Sequence, residues 1–176
     1  MIKGERVVLR TVRAADLPAL YLLLNDVSPQ GEHVALPLRS EPSFRKEFDE
    51  TGFLGDRRGR FLVTDLEDRM LGTIVYFSVD RSDGFEIGYH LFDLASRNTG
   101  VMTEALRLAA RHLFSNHRIK RLQIATAVDN EASKRLARKC GFRLEGRLRG
   151  HLVHPGRRRG ALLYSLPRSE AALQQP

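Results

Sequence analysis

Arg97-Asn98-Thr99-Gly100-Val101-Met102-Thr103-Glu104-Ala105 is the stretch on which the reading of this chain turns. It reads as a short turn opening directly into a helix, and the strand-like Phe85-Glu86-Ile87-Gly88-Tyr89-His90-Leu91 leads up to it. The first N–H groups of a helix have no intrahelical partner, and the helix dipole adds partial positive charge at that end. Gly100 allows close approach of backbone, so the turn suits a phosphate. Many helix starts carry a glycine and bind nothing, so the surroundings must decide its meaning.

Outward from the turn, strands alternate with helices. Met102, Ala105, Leu106, Ala109 and Leu113 form an apolar stripe at helical spacing, so the helix runs to about Ser115. Ile119 to Val128 reads as a strand, Asp129 or Asn130 caps the next helix, and Gly141 ends it. Upstream, Phe61 to Thr64, Met70 to Val79 and Phe85 to Leu91 form an antiparallel meander with short connections. Arg6 to Arg10 is the first strand, followed by a helix from Ala14 to about Asn25. Val27 to Ser40 is loop-like, with Pro29, Gly31 and Pro37 as breakers, and a second helix covers Ser43 to about Gly52. Phe142 to Val153, Pro155-Gly156 and Arg159 to Leu166 close the chain as a hairpin. The strand–helix–strand order from Phe85 through Val128 requires a crossover, hence a locally parallel or splayed strand pair.

A length of 176 residues suits one domain, placed at 1–168, with 169–176 as a disordered tail. With 42% hydrophobic and 28% charged residues the chain falls in the globular class. No apolar run approaches the roughly 18 residues that span a bilayer. Met1-Ile2-Lys3-Gly4-Glu5-Arg6 carries no apolar core with a cleavage site, and the single Cys140 forms no internal disulfide. A cytoplasmic location is the expectation. The histidines show no ligand spacing with Cys or acids, so no metal is expected.

The net charge of +8 is unevenly placed: residues 134–159 carry +9, with Glu145 their only acid. Such a block could track nucleic-acid phosphates, attract an anionic cofactor, or reflect an arginine-rich composition, since only five of the 29 basic residues are lysine. Phe142 is the block's lone aromatic, which argues against a stacking platform for single strands.

Arg97-x-x-Gly100-x-Met102 resembles the Arg/Gln-x-x-Gly-x-Gly/Ala loop with which GNAT N-acetyltransferases cradle the pyrophosphate of acetyl-coenzyme A. Further on, Asn130-Glu131-Ala132-Ser133, Leu136 and Cys140-Gly141-Phe142 resemble the family's second signature, an Asn-x-x-Ala/Ser helix closing on Gly-Phe. Met102-Thr103-Glu104-Ala105-Leu106 and the late Leu163-Tyr164-Ser165-Leu166 look most like the RimJ/RimL branch, and the resemblance spans Leu9 to Leu166. It implies an α/β fold of GNAT type: a mixed, mostly antiparallel central sheet with a splayed strand pair, flanked by about four helices. It also implies acetyl-CoA as acyl donor and a primary amine as acceptor, either a protein N-terminus or a basic small molecule.

Transfer of an acetyl group to an amine needs a neutral amine, a stabilised oxyanion and a protonated leaving thiol. Glu86 matches the Glu-x-Gly-Tyr strand of the Rim branch and is the candidate base; the plainer alternative is a charge on the wet face of a strand. The family's usual thiol-protonating tyrosine, seven residues after the Asn, is here Ala137, so Ser133 is the candidate acid or thiol-orienting group. Its alternative is a first-turn serine that satisfies a nearby N–H. Tyr164 and Tyr89 are weaker acid candidates. By the same resemblance, Arg97, Asn98, Thr99, Gly100, Val101, Met102 and Thr103 hold the pyrophosphate. Backbone at Leu91, Phe92 and Asp93 would hold the pantetheine arm, and Asn130 would hold the cofactor or cap its helix. Met102 departs from the family's small residue, so its direction decides whether the cradle survives. Between Ala14 and Asp56 the local charge is −5, and such an acidic wall would favour a cationic amine.

Two other classes remain open: a nucleic-acid-binding module built on residues 134–159, not favoured, and an inactive acyl-CoA-binding regulator. No membrane partner is expected, and the assembly is a monomer or homodimer.

Overall fold

Among the described residues, eight strands form one sheet in the order β1-β2-β3-β4-β5-β6-β8-β7. They are β1 (Ile2–Lys3), β2 (Val8–Arg10), β3 (Arg58–Thr64), β4 (Met70–Val79), β5 (Gly84–Leu91), β6 (Arg121–Ala127), β7 (Arg143–His154) and β8 (Arg157–Pro167). The computed structural model describes residues 1–26, 38–79, 83–154 and 157–171. Most of the loop expected from Val27 to Ser40, part of the Arg81–Gly84 turn, Pro155-Gly156 and the end of the expected tail lie outside the described residues. Residues 168–171 are helical.

Every ladder is antiparallel except β5 with β6, which run parallel, as the crossover requires. The crossover is α3 (Val101–Asn116). The parallel pairing is short: Gly84, Phe85 and Glu86 face Arg121, Leu122 and Gln123, and no pair follows although both strands continue. β5 and β6 therefore splay beyond Glu86. The gap stays open because β6 pairs on its other side with β8 over its full length, while β4 holds β5.

The period-2 alternation of β5 divides its side chains between two cores. Phe85, Ile87 and Tyr89 join the large cluster beneath α3 and α4 (Glu131–Lys139), where the stripe Met102, Ala105, Leu106, Ala109 and Leu113 packs. Phe92 joins a smaller cluster with Leu20, Phe44, Phe53 and Leu62, covered by α1 (Leu17–Asn25) and α2 (Glu41–Thr51). Local chemistry sets these helices. Ser40 accepts from Ser43 N at 3.4 Å, Pro42 sits in the first turn of α2, and Gly52 closes it at φ 59°. The short β1 was not expected, since two residues give no readable alternation; Gly4 N to Val7 O makes the turn that folds it onto β2. α5 (Arg168–Ala171) is a fifth helix, one turn long.

The basic block is partly consumed by the fold. Lys134 pairs with Glu131 and donates to Val128 O, Arg143 pairs with Glu170, Arg159 pairs with Asp129, and Arg138 lies over the Tyr164 ring.

Arg10 and Asp16 form a buried pair that fastens β2 to the start of α1. The guanidinium donates to both carboxylate oxygens at 2.6 and 3.0 Å, and Arg13 N adds a third bond at 2.7 Å. Burial by itself would raise the Asp16 carboxyl, but the Arg10 and Arg13 hydrogen bonds and charges hold it below the ordinary carboxylate value. A lowered folded value means the stabilisation is fully present above the unfolded pKa of about 4 and is lost as pH falls through the folded one. Asp16→Asn leaves Arg10 with the exposed Asp68 as its carboxylate partner among the described residues and the Thr11 carbonyl, so a loss of about 3 kcal/mol is expected at neutral pH. In denaturant titrations the gap between wild type and variant should hold above pH of about 4 and narrow below it; a gap that widens in acid would contradict the pair's role.

Candidate active site

The turn before α3 is built from two residues in the left-handed region, Asn98 at φ 62° and Gly100 at φ 88°. Thr99 Oγ1 donates to Ser96 O at 2.8 Å and folds the turn back on itself. Gly100 caps α3 without any side-chain hydrogen bond to the helix start, and the Val101, Met102 and Thr103 N–H groups have no acceptor among the described residues. Met102 is buried in the core stripe, so its side chain stays out of the turn's mouth. Arg97, Asn98 and Thr99 are exposed. Arg6 Nη1 donates to Thr99 O at 3.1 Å, which brings a second cation beside Arg97 to this helix end. Glu104 stands in the first turn of α3, and its carboxylate accepts from Glu5 N and Arg6 N and ties the β1–β2 turn to the helix.

Across the splay stands a hydroxyl pair. Tyr89, on β5 beyond the last β6 pair, places its Oη 2.6 Å from Ser133 Oγ in the first turn of α4. Asn130 Oδ1 accepts from Ser133 N at 3.0 Å, so Asn130 is the N-cap that fixes where Ser133 sits. Burial pushes the Tyr89 phenol up to about 12, against the lowering effect of the Ser133 bond, so it keeps its proton across the neutral range. Ala137 is fully buried in the core one turn further along α4. Tyr164, also fully buried, leaves its hydroxyl without a partner among the described residues.

Glu86 lies on the opposite face of the sheet, at the apex of the splay. Gln123, its register partner, donates Nε2 to Glu86 Oε2 at 2.8 Å. Arg121 Nη2 reaches Gln123 Oε1 at 3.4 Å, which sets the amide so that its NH2 faces Glu86. Of the three backbone positions expected to line the gap, Phe92 N is committed to Leu71 O at 3.0 Å; the Asp93 carboxylate accepts from Ala95 N at 2.9 Å and its carbonyl from Ser96 N at 3.3 Å. Strand backbone groups alternate sides, so Leu91 then faces away from β4 into the gap.

The acetyltransferase (GNAT) domain profile matches residues 6–143. The chain belongs to this GNAT acetyltransferase family. Among its relatives, the probable N-acetyltransferase YjcK of Bacillus subtilis is 34% identical over 87 residues, a stretch covering 48% of each chain. The chain thus spans about half the length of that relative. The ribosomal-protein-serine acetyltransferase of Escherichia coli is 29% identical over 114 residues, 64% of this chain and 63% of that one. Among solved structures, the ribosomal L7/L12 alpha-N-protein acetyltransferase RimL in complex with coenzyme A superposes with TM-score 0.81 at 24% identity, covering 95% of this chain and 97% of that one. The mixed, mostly antiparallel sheet with its splayed pair is the expected GNAT architecture.

A cleft of about 720 Å³ opens beside α2, where Arg39, Arg57, Arg58 and Arg60 outnumber the acids Glu47 and Asp56. Several acids of the 14–56 segment are held in ion pairs. Asp16 serves Arg10, Glu41 serves Arg45, Glu50 serves Lys46, and Glu47 is shared by Arg39 and Arg58. No helix among the described residues is long and apolar enough to cross a membrane, and they hold no metal-type cluster.

Sequence reasoning missed the Tyr89–Ser133 bond, the Gln123 support of Glu86 and the approach of Arg6, since each joins positions tens of residues apart with no local signature. If the two hydroxyls act as one unit, Tyr89→Phe and Ser133→Ala should each lower kcat by roughly 100-fold, and the double variant little further. Losses that multiply in steady-state kinetics would mean the two act separately.

Proposed function

We propose that this GNAT protein acetylates a primary amine by direct attack on acetyl-CoA, with a protein N-terminal amine or a basic small molecule as acceptor. The observation that carries the reading is the β5–β6 pairing that ends at Glu86–Gln123. Beyond it a slot passes through the sheet, with a carboxylate on one face and a hydroxyl pair on the other. Arg97, Asn98, Thr99 and Gly100 shape the turn, and the N–H groups of Val101, Met102 and Thr103 receive the pyrophosphate, aided by the charges of Arg6 and Arg97. Leu91 backbone offers the pantetheine arm a strand-like edge.

Glu86, held by Gln123, takes a proton from the ammonium directly or through water. The freed nitrogen attacks the thioester carbonyl, the carbon–sulfur bond breaks, and the sulfur receives a proton from the Ser133 hydroxyl, which the Tyr89 O–H replenishes. Glu86 passes the ammonium's first proton to water, takes the amine's second proton as the amide forms and releases it in turn, while Tyr89 regains its proton from solvent; the products are amide, free thiol and one proton. Asn130 acts through α4, by fixing Ser133. The ribosomal-protein-serine relative favours an N-terminal amine. A cytoplasmic setting, where such amines and acetyl-CoA meet, fits a chain whose one cysteine is buried and unpaired.

Calorimetric titration tests the donor half: acetyl-CoA should bind saturably, and a folded protein that binds none would remove the reading. Glu86→Gln tests the acceptor half. It should lower kcat by roughly 100-fold with little change in acetyl-CoA affinity, and the loss should steepen below the amine's pKa. Turnover unchanged across pH would take Glu86 out of the mechanism.

A further inference from the structure

Arg60 stands on the same sheet face as Glu86. It pairs with Val75, and Val75 pairs with Gly88, so Arg60 and Gly88 lie two strand spacings apart, on the order of 10 Å. Gly88 keeps the floor between them low, since a Cβ there would come within 3.0 Å of Val75 Cγ2. Glu86 and His90 flank Gly88 on this face, one on each side. The floor is thus bounded by a carboxylate, an imidazole and a guanidinium, and it adjoins the cleft that Arg60, Val75 and Phe77 line.

Among the described residues, the Arg60 guanidinium makes no hydrogen bond or ion pair; it lies 5.9 Å from the centroid of the Phe53 ring. Glu47, the carboxylate whose charge reaches it, already holds Arg39 at 2.5 Å and Arg58 at 2.9 Å. Burial lowers Arg60 to about 10, which leaves it charged at neutral pH but poorly solvated. His90 is lowered by burial and then by the charges of Arg60 and Arg97, and neither ring nitrogen has a partner among the described residues. A desolvated cation beside an unpartnered imidazole is costly unless an anion completes it. The cleft's other carboxylate, Asp56, is not among the charges that act on Arg60.

We infer that the acceptor is an amine that also carries an anionic group, a carboxylate or phosphate, and that Arg60 binds this group while the amine reaches Glu86. The inference rests on the acetyl-transfer reading and narrows its acceptor class. Arg60 is then a specificity residue: it sets which amine is held, and takes no part in proton transfer. The span from Arg60 to Glu86 calls for several bonds between amine and anion, and an α-amino acid is too short.

Matched acceptors test it. Aminohexanoate and aminohexyl phosphate are compared with neutral aminohexanol, which presents the same primary amine, by thiol release from acetyl-CoA. Two amidated peptides with glutamate or glutamine in second position make the same comparison for N-terminal amines. The anionic member of at least one set should show kcat/KM roughly tenfold or more above its neutral partner, the size of a charge-assisted hydrogen bond. The set that responds identifies the source, and the better of the two hexyl compounds identifies the anion. Arg60→Met, checked for cooperative melting, should bring the ratio to about one, and Arg60→Lys should restore part of it. Equal use of anionic and neutral amines overturns the inference and leaves acetyl transfer standing, as does a preference that survives Arg60→Met. Transfer to none of these amines overturns both.

Discussion

The parallel contact between β5 and β6 lasts three residue pairs and stops. Everything that makes this fold a candidate for acyl transfer depends on that stop. A continued ladder would seal the sheet and bury the backbone of Leu91 and Tyr89 in strand hydrogen bonds. Because each strand is secured on its far side, β5 by β4 and β6 by β8, the pair can part without loss of the sheet. The open edge leaves backbone donors and acceptors that a strand-like ligand can satisfy. The α3 crossover places its unpaired N-terminal N–H groups where β5 ends.

Strand alternation then assigns the chemistry. Successive side chains of β5 point to opposite faces, so Glu86 and Tyr89, three positions apart, are separated by the sheet. The proposed base and the proposed proton-donating pair therefore stand on opposite faces and do not neutralise each other. Each is fixed by a partner from the other side of the gap: Gln123 from β6 holds Glu86, and Ser133 from α4 holds Tyr89. The site is rigid because both halves of the splay contribute to both functional pairs.

Much of this was legible in the chain. The helical stripe after Gly100, the N-cap Asn130 and the need for a crossover all follow from periodicity and local capping rules, and the structure carries them at the expected places. What the sequence hid was pairing at a distance. Tyr89 and Ser133 lie 44 positions apart, and Arg6 and Thr99 lie 93 apart, and neither pair leaves a local pattern. The same holds for the acidic segment: a count of acids between Ala14 and Asp56 cannot see that Arg10 and Arg58 reach in from outside it to pair with Asp16 and Glu47. Charge balance at a site is a property of what the fold brings together.

The departures from the family pattern become intelligible on the same terms. Met102 stands where the family has a small residue, but the helix turns it into the core, where it fills volume beneath α3 and leaves the N–H cradle exposed. Ala137 removes the usual tyrosine, yet a phenol still stands beside Ser133, supplied by β5 in place of α4. Tyr89 is packed against the main core, and its oxygen is engaged by Ser133. The constraint is therefore on the position of a protonated oxygen near the slot, and which element carries it is secondary. That shift also explains why Tyr89 and Ser133 are to be judged as a pair: Ser133 is placed by Asn130, Tyr89 by the sheet, and their contact joins the two across the gap.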